Sequence, residues 1–264
     1  MQAYTAPPGK AWDVGSSRLV FRGKPPFLSG DLELINHSSE KLKVRTIRTL
    51  PGKAGAASAP SLGDVRLAAR LAPGERSRVR AHLMVDPSTP AGTYTARLDL
   101  GPRSEEITVQ VFEKHAIVLA PNKVSLRGAP GDVLTHPLII SNRGNVTHTV
   151  PPVALVHLEE RDWLGRSLVY ALREMDPEEG HQGYLDRVIR EIKSTDIPPV
   201  PVTIVGNADT IQPGGTIEVG LELTVPERSI KGRTYVRSIT FMTSTLTFQL
   251  DCNGAAHSKK RRPL

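Results

Sequence analysis

The chain has 264 residues, including 22 glycines, 22 prolines and one cysteine, Cys252. A single cysteine excludes an internal disulfide and a multi-cysteine zinc site, while 39% apolar and 23% charged residues are typical of a globular protein. The formal net charge of +7 is compatible with binding to an acidic partner or to nucleic acid.

The N-terminal residues bear on where the protein works. Residues 1–13 form an extension that contains Pro7, Pro8 and Lys10 but no apolar stretch of the kind found in signal peptides. No later segment approaches the roughly 18 apolar residues of a membrane-spanning helix. The sequence therefore predicts a cytoplasmic protein without a membrane span, or a cell-envelope protein if the N terminus is truncated.

The first half of the chain, residues 14–113, is predicted to consist of short strands. Leu32 and Leu34 alternate with polar residues, and Val79 and Leu83 follow the same period further along. A period of two buries one face of a strand and exposes the other. Many such strands separated by Gly and Pro turns are typical of a sandwich or a barrel.

A basic trio lies on one of these predicted strands. Arg76, Arg78 and Arg80 alternate along it, so all three share one face. Such a face either binds phosphates or an acidic partner, or is simply the solvated outer side of the sheet. The absence of interleaved aromatic residues favours the solvated face over nucleic acid.

Two pairs of similar segments suggest that the second half repeats the first. Phe21-Arg22-Gly23 is matched by Leu126-Arg127-Gly128 at an offset of 105 residues, and Pro73-Gly74 by Pro213-Gly214 at an offset of 140 residues. The difference leaves 35 extra residues in the second half. Both halves are thus expected to share one fold, with an insertion in the second.

The pattern of a Pro-Gly turn, an alternating strand, a proline and then a Gly and Tyr resembles bacterial immunoglobulin-like domains of the CARDB type. The resemblance covers residues 14–113 and 114–251, apart from the insertion. It implies an all-β chain of two tandem immunoglobulin-like β-sandwiches, the second with an α-helical hairpin insertion. Such sandwiches serve as spacers, adhesive modules and accessory domains, so the resemblance implies no particular activity.

The insertion, at about residues 155–196, changes the apolar period from two to about 3.6. One helical stripe consists of Leu164, Leu168, Leu172 and Met175, and another consists of Leu185, Val188, Ile189 and Ile192. Residues 176–180, with the sequence DPEEG, are expected to end one helix and start the next. The stripes either pack inside the protein or form a partner surface, in which case the anchors are predicted to be Trp163, Leu168 and Tyr184.

Signatures of catalysis are missing from the sequence. It contains no HExxH, Walker-type or GxSxG motif, and its eight histidines never fall two or four residues apart. We therefore predict no catalytic residues, no cofactor and no metal site.

The sequence favours a non-catalytic structural or protein–protein interaction module, whose partner is another protein or a subunit of a larger complex. One alternative is an anion-binding or nucleic-acid-binding accessory protein that uses the basic trio and the basic tail, residues 252–264. A second alternative is a non-catalytic subunit of an enzyme complex.

Overall fold

The protein is described here from a computed structural model, which covers residues 12–15, 19–52, 62–101, 103–174, 178, 180–194, 199–206 and 210–253. The chain divides into two compact units. The first contains the described residues up to Ala116 together with the short segments Asn142–Thr147 and Gln212–Gly214. The second contains the rest of the described residues. The predicted basic tail lies outside the described residues, apart from Cys252 and Asn253.

The first unit is built from strands whose sequences alternate between inward and outward side chains. In the third strand Gly30, Leu32 and Leu34 are buried, whereas Asp31, between the first two of these, is exposed. Because successive side chains of a strand point to opposite faces, this alternation sets which face joins the core. The strands are β1 (Trp12–Val14), β2 (Leu19–Gly23), β3 (Phe27–Asn36), β4 (Leu42–Pro51), β5 (Leu62–Leu71), β6 (Arg76–Val85), β7 (Gly92–Asp99) and β8 (Ser104–Val111).

Seven of these strands close into a barrel. Antiparallel pairs lead from β2 through β3, β6, β5, β4 and β7 to β8, and β8 returns to β2 as a parallel pair. Strand β1 adds to the ring along the end of β3. The interior is filled by buried side chains such as Phe21, Leu83 and Val109. Closure leaves the ring without an open edge.

The second half of the chain carries shorter elements and, within the described residues, two helices. These helices are α1 (Trp163–Arg173) and α2 (Gly180–Ser194). The strands are β9 (Ile117–Ala120), β10 (Lys123–Gly128), β11 (Val133–Asn142), β12 (His148–Thr149), β13 (Val153–Val156), β14 (Glu159–Glu160), β15 (Val200–Val205), β16 (Thr210–Ile211), β17 (Thr216–Thr224), β18 (Thr234–Phe241) and β19 (Ser244–Cys252).

The sheets of the second unit stay open and give a half-barrel arrangement. One sheet has the order β10-β19-β18-β14, another has the order β13-β15-β17-β11-β9, and a third pairs β12 with β16. The core beneath them includes Val124, Leu138, Leu221 and Phe248. Strand β10 pairs with β19 in parallel, as β2 does with β8 in the first unit.

The prediction of two tandem immunoglobulin-like β-sandwiches is therefore wrong. The first unit is one continuous sheet closed on itself, and the second is an open half-barrel, so the halves are not copies of one sandwich. A period of two in the sequence identifies which face of each strand is buried, but it does not identify the strands that pair with it. The antiparallel ladder from Phe27 opposite Met84 to Ile35 opposite Arg76 closes the barrel, and nothing local in the sequence indicates it.

The two Pro-Gly segments both form turns. The φ angle is +70° at Gly74 and +76° at Gly214, a conformation that glycine adopts without steric cost. Each turn leads directly into an antiparallel strand, β6 or β17.

Neither helix of the described residues is both long and apolar enough to cross a membrane.

Candidate functional site

The base of α1 is attached to the second unit by a buried ion-pair network. Glu160 lies on β14 opposite Tyr235 of β18, and only 1% of its side chain is exposed. Its Oε2 accepts a hydrogen bond from Nη1 of Arg233 at 2.6 Å. Arg166 of α1 forms an ion pair with Oε1, although this contact does not have hydrogen-bond geometry. A buried carboxylate is tolerated only with such partners, so the network fixes where α1 starts.

Tyr235 stabilises the same corner of the unit. Burial raises the pKa of its hydroxyl group, and the hydroxyl oxygen accepts a hydrogen bond from the backbone N–H of Ile230 at 2.8 Å. The loop before β18 is thereby fixed beside Glu160, which keeps Arg233 within reach of the carboxylate.

The two helices contact each other, and few of their residues are buried. Among the described residues of the hairpin, the buried ones are Ser167 and Ala171 on α1 and Val188 on α2. Within the described residues, neither helix has a contact of similar extent with any strand. Ser167 and Ala171 bury little apolar surface, and Trp163 and Tyr184 are only partly buried. Most of the larger apolar residues of the two helices lie away from these positions.

Those larger residues are exposed. Seven large apolar side chains of the two helices are between 39% and 63% exposed: Leu164, Leu168, Val169, Tyr170, Leu172, Leu185 and Ile189. They make up nearly half of the fifteen large apolar side chains that are exposed among the described residues. Isolated exposed apolar residues are normal, but a concentrated group usually marks an interaction surface.

Helical geometry brings most of this group to one side of the hairpin. On α1 the three leucines recur every four residues. Each follows a residue of the buried face by one position, so the leucine stripe is turned by about 100° from that face in the direction in which the helix winds. On α2, Ile189 follows the buried Val188 by one position and Leu185 follows the partly buried Tyr184, so this stripe is turned in the same direction. When two consecutive helices run antiparallel, equal rotations turn both stripes to the same side. We call this surface the apolar face: Leu164, Leu168, Leu172, Leu185 and Ile189.

The structure places the predicted anchors differently. Leu168 lies on the apolar face and is 39% exposed. Trp163 and Tyr184 are both partly buried, and each lies four residues before a buried residue, Ser167 or Val188, on the same face of its helix. Periodicity identified the leucine stripes, but it could not show whether another part of the chain covers them. Met175 and most of the predicted DPEEG turn lie outside the described residues.

The basic trio does share one outward face of β6, opposite acidic residues of β3. Arg78 donates a hydrogen bond to Asp31 at 2.9 Å, and Arg80 lies 3.8 Å from the same carboxylate. Arg76 lies 3.7 Å from Glu33. The three arginine side chains remain 63–76% exposed. Exposed pairs of this kind contribute little to stability, but they neutralise much of the positive charge expected on this face.

A polar groove runs along the same part of the barrel wall. It has a volume of ≈ 580 Å³ and crosses the neighbouring strands β8, β2, β3 and β6. Its lining includes Arg22, Ser29, Asp31, Arg80 and Gln110. The groove is thus rich in hydrogen-bonding groups and belongs entirely to the first unit.

No metal-binding cluster is present in the part of the chain that the structure describes. There, no three His, Cys, Asp or Glu residues group closely enough to hold a metal ion. Cys252 is buried at the end of β19, and burial raises the pKa of its thiol, which disfavours the reactive thiolate.

Comparison with known proteins identifies no family. No protein-family model matches the sequence, and no curated protein matches it. The solved structures that resemble it include a protein of unknown function from Porphyromonas gingivalis W83, with 14% identity, 92% of this chain and 100% of that chain covered, and a TM-score of 0.26. A titin Ig tandem, A164–A165, has 11% identity, coverage of 92% and 97%, and a TM-score of 0.23.

An endo-fucoidan hydrolase from glycoside hydrolase family 107 has 9% identity and a TM-score of 0.26. The alignment covers 96% of this chain but only 30% of the hydrolase. Similarities this weak support neither a family nor an activity. The resemblance to CARDB-type domains accordingly stays a prediction.

Proposed function

We propose that the protein is a non-catalytic interaction module that pairs with a second copy of itself through the apolar face of its helical hairpin. The observation that carries this proposal is the exposure of five large aliphatic side chains on one side of the two helices of the hairpin. Monomeric proteins seldom leave such a concentrated apolar surface uncovered.

A second copy fits this surface by symmetry. A twofold axis brings the same patch of two subunits together, so the apolar stripes of one copy can pack against those of the other. Two antiparallel hairpins packed in this way form a four-helix bundle, in which the leucine stripes of all four helices enter one core.

Charge around the apolar face is compatible with self-pairing. Exposed charged residues beside the apolar stripe of α2 include both signs: Arg190 and Lys193 are basic, whereas Asp186 is acidic. If all charges around the apolar face had the same sign, the faces of two copies would repel each other. A mixed rim allows cross-copy ion pairs instead.

Sedimentation velocity over a range of protein concentrations tests the proposal. The unaltered protein is expected to form a dimer, and Leu168→Asp is expected to weaken the dimer at least about tenfold because it buries a charge in the apolar core. The matched control is Leu155→Asp, since Leu155 is 69% exposed on β13 and lies outside the hairpin. Circular dichroism verifies that both variants remain folded.

If the protein stays monomeric at every concentration, the proposal that a second copy covers the apolar face is wrong. Equal weakening of the dimer by Leu155→Asp and Leu168→Asp would place the contact elsewhere. A dimer that is lost only with Leu168→Asp supports the proposal.

A further inference from the structure

The polar groove of the first unit contains an arginine that no acidic residue neutralises. Arg22 is exposed on β2, and among the described residues no carboxylate pairs with it. The neighbouring arginines differ, because Arg78 and Arg80 share Asp31. Arg22 is therefore the cation of the groove that is available to a ligand.

The register of the strands surrounds Arg22 with neutral hydrogen-bonding groups. Arg22 lies opposite Ser29 on β3 and opposite Gln110 on β8. Ser29 in turn lies opposite His82 on β6. The outward row Gln110, Arg22, Ser29, His82 thus crosses four strands and contains no carboxylate. Within the described residues, no hydrogen bond occupies the side chains of Arg22, Ser29 or Gln110.

Such a row matches the chemistry of an oxyanion. The guanidinium fork of arginine binds carboxylate, phosphate or sulfate oxygens in pairs, while a hydroxyl and a side-chain amide can donate to the remaining oxygens. The cavity of ≈ 580 Å³ has room for a small organic ligand that carries such a group.

The acidic residues beside the row limit the size and charge of the ligand. Asp31 and Glu33 also line the groove, and they would repel a phosphate backbone that ran along it. The groove lining includes no aromatic side chain on which a base could stack. These features favour a compact ligand with one anionic group over nucleic acid.

We infer that the groove is a binding site for a small oxyanion-bearing ligand, with Arg22 as its principal cation and Ser29 and Gln110 as additional donors. This inference concerns the barrel and is independent of the pairing proposed for the hairpin.

Titration of the full-length protein with inorganic phosphate, sulfate and acetate tests the inference, with sodium chloride at equal ionic strength as the reference. Binding is followed by isothermal calorimetry or by amide chemical shifts in β2, β3 and β8. At least one of the three oxyanions is expected to bind saturably, and the anion that binds most tightly indicates whether the natural group is a phosphate, a sulfate or a carboxylate.

Three variants identify the residues responsible. Arg22→Gln is expected to weaken oxyanion binding about tenfold, because one charged hydrogen-bond donor is lost. Asp31→Asn is expected to tighten it several-fold, since it removes a nearby negative charge and releases Arg78 and Arg80. Arg45→Gln is the matched control, because Arg45 is an exposed, unpaired arginine on β4, which does not border the groove.

Thermal unfolding verifies that each variant is folded. Non-saturable binding of all three anions, or equal weakening by Arg22→Gln and Arg45→Gln, would overturn the inference. A looser complex with Asp31→Asn would contradict it as well, because the inference gives that carboxylate a repulsive effect on the ligand.

Discussion

Nη1 of Arg233 donates a hydrogen bond of 2.6 Å to Oε2 of Glu160, a carboxylate whose side chain is only 1% exposed. Arg166 approaches the other oxygen from the first turns of α1. One buried side chain thus connects β14, the loop before β18 and the helical hairpin. The position of the apolar face depends on this connection, because within the described residues the helices have no extensive contact with the strands.

We expect Glu160→Gln to lower the free energy of unfolding by about 3 kcal/mol, because it removes one charge from a buried ion-pair network and leaves two arginines uncompensated. Urea unfolding monitored by circular dichroism measures the change. The control is Glu159→Gln, which breaks the more exposed pair with Arg237 and should cost about 0.5 kcal/mol or less. Equal losses in the two variants would show that the Glu160 network has no special role.

Asn36 is predicted to stabilise the barrel through its side-chain amide. It is fully buried, donates to the carbonyl oxygens of Glu40 and Ala72 at 2.8 Å and 3.0 Å, and accepts a hydrogen bond from the N–H of Ser38. Asn36→Ala should therefore lower the free energy of unfolding by about 2 kcal/mol, since buried partners are left unsatisfied. Asn122→Ala, at an exposed position, serves as the control in the same denaturation assay.

Two glycines should respond to alanine with opposite signs. A Cβ at Gly30 would lie 2.5 Å from the carbonyl oxygen of Val20, so Gly30→Ala should destabilise the protein by about 2 kcal/mol. A Cβ at Gly165 in α1 would meet no atom within 4 Å, so Gly165→Ala should stabilise the helix by about 0.8 kcal/mol. Thermal unfolding tests both changes, and stabilisation by Gly30→Ala would contradict the close approach of β2 and β3.

Cys252 provides a test of the C-terminal strand. Its side chain is 1% exposed and burial raises the pKa of the thiol, so a thiol reagent at pH 8 should react at least about 100-fold more slowly with the native protein than with the unfolded chain. Ellman's reagent measures both rates. Rapid modification of the native protein would show that β19 is open at its end.

The same thiol should make stability depend on pH. In the unfolded chain the thiol ionises near its ordinary value of about 8.5, whereas the native thiol resists ionisation. The contribution is complete below that value and decreases as the pH rises toward the higher native pKa. Stability measured by urea unfolding should therefore fall as the pH rises above about 8.5, and more steeply for the unaltered protein than for Cys252→Ala.

Local patterns in the sequence predicted several local structures. The alternation in β3 and β6 corresponds to the observed buried faces, and Pro-Gly segments form the turns before β6 and β17. Asn36 at the end of β3 and Asn142 at the end of β11 also make the same hydrogen bonds. Each amide donates to the carbonyl four residues later, and each side-chain oxygen accepts an N–H two residues later.

The arrangement of the strands did not follow from these patterns. The closing ladder between β3 and β6 depends on pairing between distant segments, which the shared local turns of the two halves do not reveal. Helical periodicity likewise predicted the stripe of Leu164, Leu168 and Leu172 but not its exposure. Whether a stripe is covered depends on the rest of the fold, so the apolar face emerged only from the structure.

The sequence showed the positive charges of the basic trio but not their acidic partners, for a similar reason. The period of two places Arg76, Arg78 and Arg80 on one face, but their partners Asp31 and Glu33 come from a strand that is remote in the chain. In the sequence Arg22 belongs to the repeated segment Phe21-Arg22-Gly23, which gives no sign that it borders a groove. Its importance follows from the cross-strand register of the barrel.

Hydrogen–deuterium exchange as a function of protein concentration tests the pairing of hairpins most directly, because it locates the contact while it detects association. We predict that peptides covering α1 and α2 gain protection as the concentration rises, whereas peptides from the barrel do not. Exchange that is independent of concentration throughout the hairpin, or new protection confined to the strands, would contradict the proposal.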